Sequence, residues 1–70
     1  MVDARRRGAD VTRALAELPE RQRAALLQSA VAGRSYAEIA EALEVTEKAV
    51  KALVHRARSN LAAAIDSGGA

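Results

Sequence analysis

The 70-residue sequence contains no cysteine, no tryptophan and no phenylalanine, and only one each of histidine, proline and tyrosine. Without thiols it can form neither a disulfide nor a thiolate zinc site, and one histidine cannot build a metal cluster, so neither metal nor cofactor is expected. Nothing in it requires an oxidising compartment. The same poverty argues against an enzyme, because the lone His55 has no nucleophile and orienting group with which to converge. No apolar run approaches the roughly 20 residues that span a bilayer, and the N-terminal MVDARRRGAD lacks the apolar stretch of a signal peptide. A cytoplasmic location is the expectation. Strand-like alternation, internal repeats and low-complexity segments are missing as well, which leaves an all-α domain. At this length a core supplies roughly 3–5 kcal/mol without staples, so stability should be modest.

What is present is segregated charge. The formal net charge is only +2, a weak hint of a polyanionic partner. The order of the charges says more: between Tyr36 and Glu47 they are Glu38, Glu41, Glu44 and Glu47, whereas from Lys48 to Ile65 every charged residue is basic. Such a dipolar surface turns one end toward phosphates and steers a polyanion into one orientation.

Helical periodicity divides the chain. Residues 1–9, with the Arg5-Arg6-Arg7 run and no apolar period, read as a flexible leader or linker end. Asp10 can cap a first helix on which Val11, Ala14, Leu15 and Leu18 fall at i, i+3, i+4 and i+7. Leu18-Pro19 ends it, since Pro19 disfavours helical geometry before it yet suits the first turn of a new helix, with Glu20 favourable beside that N-terminus. The second helix is expected from Pro19 to Ala32, burying Ala24, Leu27, Ala30 and Val31 with Leu26 on one flank, and closed by a left-handed Gly33. Ser35-Tyr36-Ala37-Glu38 reads as a capping box opening a short third helix striped by Tyr36, Ile39, Ala40 and Leu43. Glu44 and Val45 form the turn and Thr46 caps the fourth helix, whose stripe is Val50, Leu53, Val54, Ala57, Leu61, Ala64 and Ile65. Residues 10–66 form the domain, and 67–70 a disordered tail.

Two helices joined by a three-residue turn must cross steeply, which is the helix-turn-helix geometry, and a cationic second helix held this way suits a DNA major groove. Lys48, Lys51, His55 and Ser59 point away from the apolar stripe, with Arg56 beside them and Arg58 nearer the core edge. Arg56 can read guanine by a bidentate contact or track the backbone. His55 can donate to a base or a phosphate, or stand exposed without a role. Tyr36 can set its hydroxyl on a phosphate, or its ring can simply pack. Glu38 belongs to the capping box, while Glu41 and Glu44 oppose DNA and must face solvent or a protein.

From Ala14 to Leu61 the chain resembles region 4 of a bacterial sigma factor, most closely the extracytoplasmic-function class. The resemblance lies in Leu15, Leu18-Pro19, Arg23 and Leu27, then Gly33, the Ser35-Tyr36-Ala37-Glu38-Ile39-Ala40 block, Leu43, Val50, and Arg56-Ala57-Arg58 with Leu61. It implies a four-helix domain with a C-terminal helix-turn-helix, binding the double-stranded promoter minus-35 element, docking on the β-subunit flap of RNA polymerase, and open to masking by an anti-sigma factor. Carried over by position, Lys51, Ala52, His55 and Arg56 face bases, while Arg34, Ser35, Tyr36, Thr46, Lys48 and Arg58 contact phosphates.

Departures from that pattern bear on sequence choice. Ala52-Leu53 stands where serine-arginine is common and Lys48 where glycine is frequent; Ala52 can touch a thymine methyl but cannot hydrogen-bond a base. Ser59-Asn60 follows Arg58 in place of further arginines, and each lost phosphate contact lowers the salt slope by about 0.9. No segment fits the second domain that reads the minus-10 element, so a C-terminal piece of a longer protein is expected, or else an independently encoded module. Two other functions stay open: the four-helix effector domain of a response regulator, which would footprint symmetrically on an inverted repeat, and a helical module binding only protein, which would show no salt-dependent duplex binding.

Overall fold

The computed structural model describes the backbone of residues 3–68 and the side chains of residues 10–66. Among these the chain is entirely helical: α1 (Asp3–Glu17), α2 (Glu20–Ala30), α3 (Tyr36–Leu43) and α4 (Glu47–Gly68). Helix α4 is the spine on which α1, α2 and α3 all pack, and α2 also meets α3. The buried core is wholly aliphatic, formed by Leu18, Ala25, Leu26, Ile39, Ala40, Val50, Val54 and Ala57, with Leu15, Leu43, Val45, Leu53 and Leu61 around it.

Helix α1 starts at Asp3, so Asp10 is an interior residue and the expected leader is helical from Asp3 onward. Asp10 does not cap; its Oδ1 accepts from Arg13 at 3.4 Å, one turn along the same helix. The physical reason is propensity: Ala4, Arg5, Arg6, Arg7 and Ala9 are good helix formers, and the single Gly8 costs only about 1 kcal/mol against Ala. An apolar period marks where a helix is buried, not where it begins. Ala14 and Leu18 are buried and Leu15 half-buried, as the spacing requires. Pro19, extended at φ −53° and ψ 142°, separates α1 from α2. The Arg23 guanidinium reaches back to the Ala16 carbonyl at 3.4 Å, placing a cation at the C-terminus of α1 where the dipole favours it.

Helix α2 corrects a second expectation. It buries Ala25 and Leu26, while Leu27 and Ala30 are exposed and Val31, past the helix end, is 77% exposed. Gln22, Ala25, Leu26 and Ser29 form the inward line at i, i+3, i+4 and i+7. The apolar run Ala24-Ala25-Leu26-Leu27 has no phase of its own, so packing against α4 chose the face. Gly33 is left-handed at φ 67° as expected, and the amide of Arg34 closes the turn onto the Gln28 carbonyl at 3.0 Å. At the other end of the chain α4 continues to Gly68, through Ser67; residues 69–70 of the expected tail, like residues 1–2 of the expected leader, lie outside the described residues.

Candidate nucleic-acid interface

Helix α3 begins at the expected box. The Ser35 Oγ accepts from the Glu38 amide at 3.1 Å, and the Glu38 carboxylate accepts from the Ser35 amide at 2.9 Å. These bonds from the Ser35 backbone and side chain, helped by the charge of Arg34 and outweighing slight desolvation, hold the Glu38 carboxyl below the ordinary carboxylate range. Ile39 and Ala40 are buried and Leu43 half-buried, whereas Tyr36 keeps 37% of its surface and so only half-serves the stripe.

The turn into α4 is a Schellman closure. The amide of Val45 bonds the Ala40 carbonyl at 3.0 Å and that of Glu44 the Glu41 carbonyl at 3.3 Å, with Glu44 itself left-handed at φ 58° and ψ 45°. Among the described residues Glu44 is the non-glycine with positive φ. Val45 then turns inward onto the core, fixing the crossing of the two helices. Thr46 Oγ1 accepts from the Ala49 amide at 3.0 Å, capping α4 as its position demands.

Beyond that cap every residue of the expected stripe turns inward: Val50, Val54 and Ala57 are buried, and Leu53, Leu61, Ala64 and Ile65 half-buried. Lys48, Lys51, Ala52, His55, Arg56, Arg58 and Ser59 are all exposed. Lys48, Lys51, Ala52, His55 and Ser59 follow one another at i, i+3, i+4, i+7 and i+11, so they share the face opposite the core. Among the described residues no carboxylate lies within ion-pair distance of Lys48, Lys51, His55, Arg56 or Arg58; the pair that does form, Arg13 with Asp10, is on α1. Helix α4 has 22 residues, about 33 Å, of which Lys48 to Arg58 occupy about 15 Å. A major groove about 12 Å wide matches the diameter of such a helix, so that cationic half can enter it. The distal half carries Leu61, Ala64 and Ile65 and serves packing.

The two capping hydroxyls differ in one respect. A hydroxyl oxygen that accepts from a backbone amide keeps its proton to donate: Thr46 presents that donor at the start of α4, while the Ser35 proton is directed at the Glu38 carboxylate. Arg34 and Tyr36 are exposed beside Ser35. Glu41 and Glu44 are exposed too, on the acidic helix. Two features escaped sequence reasoning. One is the hydrogen bond from Asn60 Nδ2 to Gln22 Oε1, 2.9 Å, joining α4 to α2 across 38 residues; no local pattern marks such a pair. The other is the exposure of Leu27 and Val31, hidden by the phase error in α2.

Among the described residues no group of three or more acidic, histidine or cysteine side chains could hold a metal ion, and no helix is long and apolar enough to cross a membrane. The family described as Sigma-70, region 4 matches residues 9–61. No curated protein and no solved structure matches the chain. With that match running through all of α2 and α3, most of α1 and the cationic half of α4, the chain belongs to the sigma-70 region 4 family, the helix-turn-helix domain by which a sigma factor binds promoter DNA in transcription initiation.

Proposed function

We propose that the proximal half of α4 reads the minus-35 element through Lys51, Ala52, His55 and Arg56, and that Arg34, Ser35, Tyr36, Thr46, Lys48 and Arg58 hold the flanking phosphates. The observation that carries this reading is the division of α4: its aliphatic ridge is spent on the core, and its basic side chains stand exposed without an ion-paired carboxylate among the described residues. Arg56 is the strongest base reader, because a guanidinium can bond guanine O6 and N7 together, a contact worth about 1–3 kcal/mol of discrimination. Ala52 favours a thymine methyl. Arg58, nearer the core edge, suits a phosphate.

The sequence pattern further supports membership of the extracytoplasmic-function class, working on cytoplasmic polymerase. For the polymerase flap, the exposed Leu27 and Val31 on the α2 side offer the apolar surface that the core does not use. An anti-sigma factor covering the basic face of α4 would compete with DNA directly. The test is a titration of duplexes with varied minus-35 sequences at several salt concentrations, using the unaltered chain, Arg56→Ala and Arg58→Ala. Arg56→Ala should flatten the preference among sequences. Arg58→Ala should weaken all of them alike and reduce the salt slope by about 0.9. A uniform loss with Arg56→Ala would remove it from base reading, and indifference to both changes would displace the whole site.

A further inference from the structure

We propose that the hydrogen bond between Gln22 and Asn60 sets the rotation of α4 about its axis, making these two side chains positioning residues for the selectivity of promoter reading. The inference rests on the assignment of base contacts to α4 made above. Asn60 Nδ2 donates to Gln22 Oε1 at 2.9 Å, so the bond ties the N-terminal half of α2 to α4 just beyond its DNA-facing half. Asn60 follows Arg56 by four residues, one turn along the same flank.

Helices α1 and α3 also pack on α4, but within the α2 seam the aliphatic contacts define rotation less sharply than a directional bond does. The seam's buried members on α2 and α4 are Ala25, Leu26, Val50, Val54 and Ala57, with Ala25, Val50 and Ala57 wholly enclosed. Aliphatic burial is non-directional, and alanines raise only low ridges to interlock with a neighbour's grooves. A hydrogen bond is directional and weakens steeply when bent. Rotating a helix by about 10° sweeps side-chain atoms about 5–6 Å from its axis through about 1 Å. A bidentate base contact tolerates about 0.5 Å. Phosphate contacts by long cationic side chains tolerate far more, because they act as charges and carry no sequence information. Loosening the clamp therefore costs selectivity before it costs general affinity.

The experiment uses the full chain with a minus-35 duplex and a scrambled duplex of equal length, measuring both affinities across salt. In Asn60→Ala the ratio of the two affinities should fall about threefold to tenfold, in keeping with one hydrogen bond lost, while scrambled-duplex affinity and salt slope hold. Gln22→Ala should do the same, and the double variant should fall no further. The swapped pair Gln22→Asn with Asn60→Gln, which restores an amide at each site, should recover the ratio at an unchanged melting temperature. An unchanged ratio in the single variants, equal weakening of both duplexes, or multiplying effects in the double variant would each overturn the proposal. Arg56→Ala measured alongside separates the two readings: if it alone leaves the ratio intact, Arg56 is not the reader, while a fall in Asn60→Ala still assigns the clamp to the remaining face of Lys51, Ala52 and His55.

Discussion

Replacing Glu44 by glycine should make the domain more stable, although it removes a side chain from the turn between α3 and α4. Glu44 sits at φ 58° and ψ 45°, a conformation that brings the Cβ of an L-residue against its own carbonyl at a cost of roughly 1–2 kcal/mol. Glycine avoids that cost but loses roughly 0.5–1 kcal/mol more chain entropy on folding. The two backbone bonds of the closure, from Glu44 and Val45, need no side chain at this position. The balance is a gain of about 0–1.5 kcal/mol, centred on about 0.75. For a domain of this size each kcal/mol moves the melting temperature by about 4–8 °C, so the central gain corresponds to a rise of about 3–6 °C by thermal denaturation followed by circular dichroism. Two controls separate backbone from charge. Glu44→Ala keeps the left-handed strain and should not gain, and Glu44→Gln removes the charge while keeping the Cβ. Should Glu44→Gly melt no higher than Glu44→Gln, the strain is not there and the account of the turn is wrong.

Four other outcomes follow from the same structure. Ile39→Ala removes the bulk of a wholly buried side chain, a loss of about 2–5 kcal/mol against the roughly 3–5 kcal/mol available, so little net stability should remain and melting should fall toward room temperature by circular dichroism. Ser35→Ala should cost about 1 kcal/mol through loss of the cap. Because the folded-state pKa of Glu38 is depressed, its stabilisation is present above the ordinary carboxylate range and is lost as pH falls through the lowered value; acid titration of Glu38→Gln should show a shallower loss of stability than the unaltered chain. Finally, Leu27→Glu with Val31→Glu should leave melting and duplex affinity nearly unchanged, since both positions are exposed, while abolishing binding to an isolated polymerase flap; intact flap binding would free that surface from the assignment.

How far the fold was legible depended on whether the controlling interaction was local. The box at Ser35 and Glu38, the Pro19 break, the left-handed Gly33 and the Thr46 cap each follow from a few adjacent residues, and each stands where its sequence places it. The stripe of α4 was equally plain, because nearly five turns of regular spacing leave one possible phase. Helix α2 was not, since four consecutive apolar residues in an 11-residue helix fit more than one face. The start of α1 was missed because residues 3–9 have helix propensity without an apolar period.

The same division runs through the site. Chain order alone determined that acidic and basic residues fall on successive helices and that the basic ones avoid the apolar ridge, because a helix converts spacing directly into direction. Only the tertiary structure decided which face of α2 was left over at Leu27 and Val31, and that Gln22 meets Asn60. Those are choices between elements far apart in the chain, settled by how three helices share one spine, and no local pattern encodes them.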